Sequence, residues 1–242
     1  MKSPKNVTPP TPTLEARPGP LRGNTRLPLQ THPAQLLFKG RSGGEHRPPI
    51  VGLLVFGKLV HDIEVNALKD DPYADWWLVK IEEGLSEARE VLTGTQKQLQ
   101  AQVAASPFRV APVTSVEPLE VALTFSSRLA FRAAALLAEF DQTVVMILTA
   151  GHLGLMTREE EKRLINRAGT VVRRAFGRCL RYKALGVTRA DLQQNTETAR
   201  AAVEQMGALP EAVLNGRQQA LYGPRKTLRL SPRTAEPATP AS

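Results

Sequence analysis

Residues 50–92 read IVGLLVFGKLVHDIEVNALKDDPYADWWLVKIEEGLSEAREVL and predict two amphipathic helices joined at residues 70–72. In the first half, apolar residues recur at steps of three and four, which places them on one helix face. They are Leu53, Phe56, Val60, Ile63 and Ala67. The second half carries a stripe that can pack on the first: Trp77, Ile81, Leu85, Ala88 and Leu92. We therefore expect a helical hairpin to organise the fold.

The start of the second helix is predicted by its first residues. Asp71 is a favourable N-cap, and Pro72 suits the first helical position because its missing N–H would be unpaired there. Asp75 lies in the first turn, where the helix dipole favours negative charge. Adjacent helical residues point about 100° apart, so at least one tryptophan should lie in the core and not in a base-stacking platform. We predict structural roles for Asp71, Pro72, Trp76 and Trp77.

The rest of the chain adds further helices and a small ribbon. Helices are predicted at residues 31–40, 126–150, 158–185 and 188–206, with one more turn at 210–214. Residues 119–125 alternate apolar and polar side chains, which predicts a strand, and Leu27 and Leu29 are its best partner. The 126–150 helix is too apolar for a surface position. We expect a mainly α fold of about six helices with a two-stranded antiparallel β ribbon and disordered termini.

Glycine and leucine positions add detail to two of these helices. In the 31–40 helix, Leu36 and Leu37 are expected to face inward and Gly40 to end the helix. The second helix of the hairpin is expected to extend to about residue 105. Gly84 and Gly94 weaken it by roughly 1 kcal/mol each, which makes them the positions for a kink or break.

Composition predicts one helical domain at residues 21–223 between two tails. Residues 1–20 hold six of the 19 prolines and residues 224–242 hold four more, and both lack apolar periodicity, so we predict disordered tails there. The apolar stretches around residues 50–56 and 142–156 are shorter than the roughly 20 residues of a membrane helix. No signal-type segment follows Met1, and there is one cysteine. We therefore expect a cytoplasmic protein without a membrane partner.

Candidate metal and catalytic groups do not converge in the sequence. Carboxylates at Asp70, Asp71, Asp75 and Glu82 could hold a divalent cation, but capping and first-turn roles already explain two of them. The histidines are scattered, at His32, His46, His61 and His152, and lack the spacing of a local zinc site. Cys179 falls on an apolar side and is expected to be a small buried hydrophobe. We predict no metal, no cofactor, no small-molecule substrate and no enzymatic activity.

The charge of the chain is unevenly distributed. The formal net charge is +9, which favours association with nucleic acid or another anionic partner. Residues 158–183 carry nine basic against three acidic residues, whereas residues 62–90 carry nine acidic against three basic ones. We therefore expect a polarised molecule.

A row of arginines is the sharpest candidate site. Steps of four, seven, four and three place these residues on one face of the predicted 158–185 helix: Arg163, Arg167, Arg174, Arg178 and Arg181. Guanidinium groups in a row match phosphates in a row, so we predict that this face binds nucleic acid. The alternative is a solvated face that pairs with acidic residues of the hairpin's second helix, with Asp75, Glu82 and Glu83 as partners.

Several blocks of sequence resemble a known protein family. The blocks are RPGPLR (residues 17–22), LQTHPAQLLFKGR (29–41), the run from PIVGL to DDPYADWWLVKIEE (49–83) and RYKALGVTRADLQQNTETARAAVEQMG (181–207). Together they resemble integrating conjugative element proteins of proteobacteria, over nearly the whole folded chain. The resemblance implies no assigned biochemical activity and no catalytic residues. It does imply a setting among genes for DNA maintenance or transfer.

These observations lead to two hypotheses about function. The first is a non-catalytic accessory protein of the conjugative element that acts in DNA maintenance, processing or transfer through the basic helix face. DNA, single- or double-stranded, and other proteins of the element would be its partners. The second is a protein–protein adaptor or assembly factor of the element that binds no nucleic acid.

Overall fold

The computed structural model describes residues 25–44, 47–110 and 113–224. The tails predicted at residues 1–20 and 224–242 lie outside the described residues, apart from Pro224, and so does His46. The predictions for these positions therefore stay predictions.

Within the described residues, the chain forms eight α-helices, one 3-10 helix and two strands. The helices are α1 (His32–Lys39), α2 (Leu53–Leu68), α3 (Pro72–Ala104), α4 (Arg128–His152), α5 (Arg158–Gly177), α6 (Arg189–Gln194), α7 (Glu197–Met206) and α8 (Glu211–Leu214). The 3-10 helix is Arg178–Arg181, and the strands are β1 (Thr25–Leu29) and β2 (Leu119–Leu123). The predicted mainly α class with a small ribbon is confirmed.

The α2–α3 hairpin is present as predicted and supplies much of the core. Its turn contains Asp70 in a left-handed conformation (φ +66°), after which Asp71 caps α3 by accepting hydrogen bonds from the backbone N–H groups of Tyr73 and Ala74. All ten residues of the two predicted stripes are buried. The helix α3 continues without a break through Gly84 and Gly94, because tertiary packing outweighs the weak helix propensity of glycine.

The two-stranded ribbon pairs distant parts of the chain. The strands β1 and β2 are antiparallel with Leu27 opposite Val121 and Pro28 opposite Glu120, in agreement with the predicted pairing. Leu29, Val121 and Leu123 face the core. The ribbon therefore covers one side of the helical layer.

The central helix is α4, which packs against α1, α2, α3, α5 and β1. Its buried Asp141 accepts hydrogen bonds from the backbone N–H groups of Gln30 (2.6 Å) and Thr31 (2.9 Å), and so holds the start of α1. Among the described helices, α4 is the one that is long and apolar enough to cross a membrane. The stretch at residues 142–156, expected to be too short for a membrane helix, is in part the C-terminal portion of this longer helix. Burial in the core accounts for most of its apolar residues.

Two predicted helix boundaries are wrong. A tertiary contact determines the first and a local cap the second, although the apolar spacing continues past both. The helix predicted at 158–185 ends at Gly177, and Tyr182 is already extended (ψ 137°) because its hydroxyl donates a 2.6 Å hydrogen bond to Asp71. The helix predicted at 188–206 is divided at Asn195, which adopts φ +51° and is followed by the N-cap Thr196. Leu36, predicted to face inward, is 54% exposed.

Candidate nucleic-acid interface

The helix α5 is built with one apolar and one basic side. Its start is a complete capping box: the Thr157 hydroxyl accepts from the N–H of Glu160, and the Thr157 N–H donates to the Glu160 carboxylate at 2.8 Å. The Thr157 hydrogen bonds lower the pKa of the Glu160 carboxyl, which suits the positive end of the helix dipole. The buried side consists of Ala168, Gly169, Val172, Ala175 and Phe176. That side fixes α5 against α3 and α4 and turns the opposite side to solvent.

Three of the predicted arginines lie on this solvent side. Arg163, Arg167 and Arg174 are all exposed, and we call them the α5 arginine face. Among the described residues, their one ion pair within 4 Å joins Arg163, whose side chain is 75% exposed, to Glu160 at 3.9 Å. Such an exposed pair contributes little free energy, so the three guanidinium groups can bind another partner.

Arg178 follows directly after α5 but is bound to α3. Its guanidinium donates a 2.8 Å hydrogen bond to the backbone oxygen of Lys80 and forms an ion pair with Glu87. Gly84 makes room for it, because a Cβ there would lie 2.5 Å from the Cδ of Arg178. Arg178 therefore pairs with the acidic helix, but its partner is Glu87 and not one of the expected residues Asp75, Glu82 and Glu83. Its guanidinium does not continue the row formed by the α5 arginine face.

Arg181 is exposed and lines a cleft of about 480 Å³ beside α3. The cleft, which we call the Trp77 cleft, is lined by Trp77, Lys80, Arg178, Arg181, Gln205 and Met206. The ammonium group of Lys80 lies 3.2 Å from the centroid of the Trp76 ring and 4.2 Å from that of Trp77. Burial, followed by the charges of Arg181 and Arg178, lowers the pKa of Lys80, while Glu83 opposes this shift. Because Arg178 is already paired with Glu87, Arg181 and Lys80 are the two cations that make this cleft suitable for a phosphate group.

The remaining predicted residues, Asp71, Pro72, Trp76 and Trp77, build the start of α3. Pro72 is its first residue, Trp77 is 8% exposed, and Trp76 is half-buried against the core. Asp71 is almost fully buried, and burial raises the pKa of its carboxyl although the Tyr182 hydroxyl acts in the opposite direction. We therefore assign this end of α3 to packing and to the support of the Trp77 cleft.

The acidic residues of the hairpin have internal partners. The Arg189 guanidinium binds the carboxylates of Asp70 and Asp75, and its Nε donates to the backbone oxygen of Leu214 at 3.1 Å. Glu82 accepts a 2.7 Å hydrogen bond from the N–H of Leu221. These carboxylates hold the C-terminal helices, which explains their clustering without a cation.

Sequence reasoning missed Lys80 and Gly84 as parts of this surface. A signal for Lys80 was present, since it follows Trp76 and Trp77 by four and three residues and so shares their helix face. Gly84 gave the opposite signal, because a glycine inside a helix is usually a weak point. Its role depends on Arg178, which is 94 positions further along the chain.

Comparison with known proteins identifies the family. The sequence model of the family described as "Transcriptional regulator AcaB" matches residues 17–226. Among solved structures, the chain is similar to the crystal structure of selenomethionine-containing AcaB from uropathogenic E. coli, with a TM-score of 0.55 and 13% sequence identity. The match covers 82% of this chain and 97% of that chain, and at this identity it shows a shared fold. No curated protein matches.

The family match corrects the predicted function. The accessory role in DNA maintenance, processing or transfer is wrong, because the matching family is one of transcriptional regulators. The adaptor without nucleic-acid binding is wrong for the same reason. The resemblance to mobile-element proteins is consistent with this family, but the expectation of no assigned activity is wrong, because the family is described as a transcriptional regulator. The chain belongs to the family of the transcriptional regulator AcaB.

Proposed function

We propose that this protein regulates transcription by binding DNA through the α5 arginine face, with Arg181 and the Trp77 cleft at one end of the contact surface. The observation that carries this proposal is the exposure of Arg163, Arg167 and Arg174 on one side of a helix whose other side is buried. Phosphate contacts of this kind position a protein on DNA without reading its sequence. The formal net charge of +9 supports the same conclusion through long-range attraction.

The Trp77 cleft supports the proposal by its chemistry. Arg181 and Lys80 bring two cations to a cavity with an indole wall, and Arg178 is held at its side by α3. A phosphate placed there would offset the mutual repulsion of these cations. We infer that the cleft holds a backbone phosphate of the same DNA.

The genes under control and the setting are inferred from the resemblance to conjugative element proteins. We propose that the protein acts on genes of a mobile element, in the cytoplasm and without catalysis. Partnership with other proteins of the element stays a prediction.

A fluorescence anisotropy titration tests the proposed surface. The double variant Arg167→Glu with Arg174→Glu is compared with Arg109→Glu plus Arg217→Glu, which reverses two exposed arginines elsewhere. The probes are duplex DNA from upstream of the element's genes and a duplex of unrelated sequence. We expect the α5 variant to lose at least about tenfold in affinity and the control to lose much less. Equal losses would mean that only the net charge matters, and the proposed surface would be rejected.

A further inference from the structure

A second cavity, of about 250 Å³, lies between α1, Ile50, α4 and α5. Its walls are mainly apolar, with Leu36, Leu37, Ile50, Phe140 and Ile165. Leu36, which was predicted to face inward, is 54% exposed because it lines this cavity. A ligand that covered it would gain apolar contact at little cost in reorganisation.

Two arginines from different parts of the chain also line this cavity. Arg41 follows α1, and Arg173 comes from α5. Arg41 donates to the backbone oxygen of Pro48 (3.1 Å), and Arg173 to the Thr170 hydroxyl (2.7 Å). Neither forms an ion pair with a carboxylate of the described residues. Burial, together with the charge of Arg41, lowers the pKa of the Arg173 guanidinium. An exposed guanidinium, that of Arg41, and a partly buried one, that of Arg173, thus line the same cavity without an ion pair to a carboxylate of the described residues.

The backbone around the cavity is shaped to hold these groups. Gly40 has φ +73°, and a Cβ there would lie 2.5 Å from the backbone nitrogen of Gly52. This close approach lets Arg41 and Ile50 exchange backbone hydrogen bonds of 2.9 and 2.8 Å. On α5, a Cβ at Gly169 would lie 2.9 Å from the Nη1 of Arg173, so the guanidinium in this position lies directly over the glycine.

We propose that this cavity binds a small organic anion, with its apolar body against Leu36, Ile50 and Phe140 and its carboxylate or phosphate group on Arg41 and Arg173. Guanidinium groups bind both kinds of head group through paired hydrogen bonds. Because ligand pockets typically start at about 300 Å³, this cavity fits a compact ligand of few carbon atoms. The sequence alone gave no sign of such a ligand, since Arg41 and Arg173 are 132 positions apart.

Because Arg173 lies on α5, a ligand bound to it could regulate DNA binding; this inference rests on the proposed function. Arg173 precedes Arg174 of the α5 arginine face by one residue. An anion bound at Arg173 places negative charge on the helix that would contact DNA. The ligand is therefore expected to weaken DNA binding, as an effector of the regulator.

Binding is tested on the full chain, without DNA, by isothermal titration calorimetry. The probes are hexanoate and phenyl phosphate, and the control ligands are acetate, inorganic phosphate and hexanol, each of which lacks either the body or the charge. We expect one or both probes to bind at least about tenfold more tightly than the controls. Binding of hexanoate alone indicates a carboxylate ligand, binding of phenyl phosphate alone indicates a phosphate ligand, and binding of both indicates a site that accepts either head group.

Variants connect this binding to the cavity. Arg173→Gln should lower the affinity for the probe at least about tenfold. Arg41→Gln, a second variant on a surface segment, should do the same. Arg200→Gln, an exposed arginine of α7, should leave probe binding unchanged. If neither probe exceeds the controls, or if both cavity variants bind it like the wild type, the site is rejected.

The effector role has its own measurement. DNA affinity is measured with and without the binding probe, in the wild type and in Arg173→Gln. We expect the probe to weaken DNA binding about fivefold in the wild type only. Unchanged DNA affinity would reject the effector role, while the calorimetry decides on the cavity. Failure of the proposed function would be seen in a different experiment. Without any probe, the α5 variant and its control would then bind DNA equally well.

Discussion

The indole Nε1 of Trp77 donates a 3.1 Å hydrogen bond to the backbone oxygen of Arg178. In the opposite direction, the guanidinium of Arg178 donates at 2.8 Å to the backbone oxygen of Lys80, three residues after Trp77. These two bonds join α3 to the 3-10 helix that directly follows α5. They fix the end of α5, and with it the α5 arginine face, relative to the helical hairpin.

The first prediction concerns Trp77. Replacing it by Ala removes a large buried side chain and leaves the Arg178 backbone oxygen without its donor, so Trp77→Ala should lower the free energy of unfolding by about 3 to 5 kcal/mol. Trp77→Phe keeps most of the volume and should cost less. Urea denaturation measures both. An unchanged midpoint for Trp77→Ala would show that the ring does not contribute to the core.

The second prediction concerns Arg189, which joins the C-terminal helices to the start of α3. Its side chain is 12% exposed and neutralises Asp75, which is 5% exposed. Arg189→Gln removes the guanidinium that binds this buried carboxylate and joins it to the C-terminal helices, and the expected loss is about 3 to 5 kcal/mol.

Limited proteolysis should then cut between residues 183 and 214 faster than in the wild type. Arg200→Gln is the matched control and should behave like the wild type, since Arg200 is exposed. A protease-resistant, fully stable Arg189→Gln would contradict the assigned role.

The third prediction is a dependence of stability on pH through Asp71. Burial raises the pKa of its carboxyl above that in the unfolded chain, and the Tyr182 hydroxyl only partly offsets this. The stability that this group provides is complete below the unfolded pKa and is lost as the pH rises through the folded pKa. Asn at this position can still cap α3 but does not titrate.

Relative to Asp71→Asn, the wild type should therefore become less stable as the pH rises above about 3.9. Tyr182→Phe removes the hydrogen bond that favours the carboxylate and should make this dependence steeper. Chemical denaturation across this pH range measures both effects. If the difference in free energy of unfolding between the wild type and Asp71→Asn stayed constant with rising pH, or grew in favour of the wild type, the raised pKa of Asp71 would be contradicted.

The fourth prediction is that the single thiol is inert in the native protein. Cys179 is buried, and burial raises the pKa of its thiol to about 12. The thiol also donates to the backbone oxygen of Phe176 at 2.9 Å. Because the thiolate is the reactive form, a disulfide reagent should react only after unfolding in guanidinium. Rapid reaction of the native protein would show that this region opens to solvent.

The hairpin could be predicted from sequence because its signals are local. Helical spacing of apolar residues and the pair Asp71 and Pro72 define two faces and a starting point without reference to the rest of the chain. The end of α5 could not be predicted in this way. It depends on the backbone oxygen of Lys80 in α3 and on the space at Gly84, which are tertiary features.

The candidate sites also differ in whether local sequence signals could predict them. Arg163, Arg167 and Arg174 share a helix, so their common exposed side followed from spacing alone. Arg41 and Arg173 are brought together by packing of distant elements, and no spacing rule connects them. The break at Asn195 had local signals in Asn195 and Thr196, but the apolar spacing that continues past them favoured one long helix.

The salt dependence of DNA affinity tests the central claim most directly. The neutral variant Arg167→Gln with Arg174→Gln is compared with Arg109→Gln plus Arg217→Gln on the same duplex. If the α5 arginine face neutralises phosphates, the slope of log affinity against log salt should flatten by about 0.9 for each lost contact in the α5 variant and stay unchanged in the control. Identical slopes for wild type and both variants would contradict the claim that α5 binds DNA.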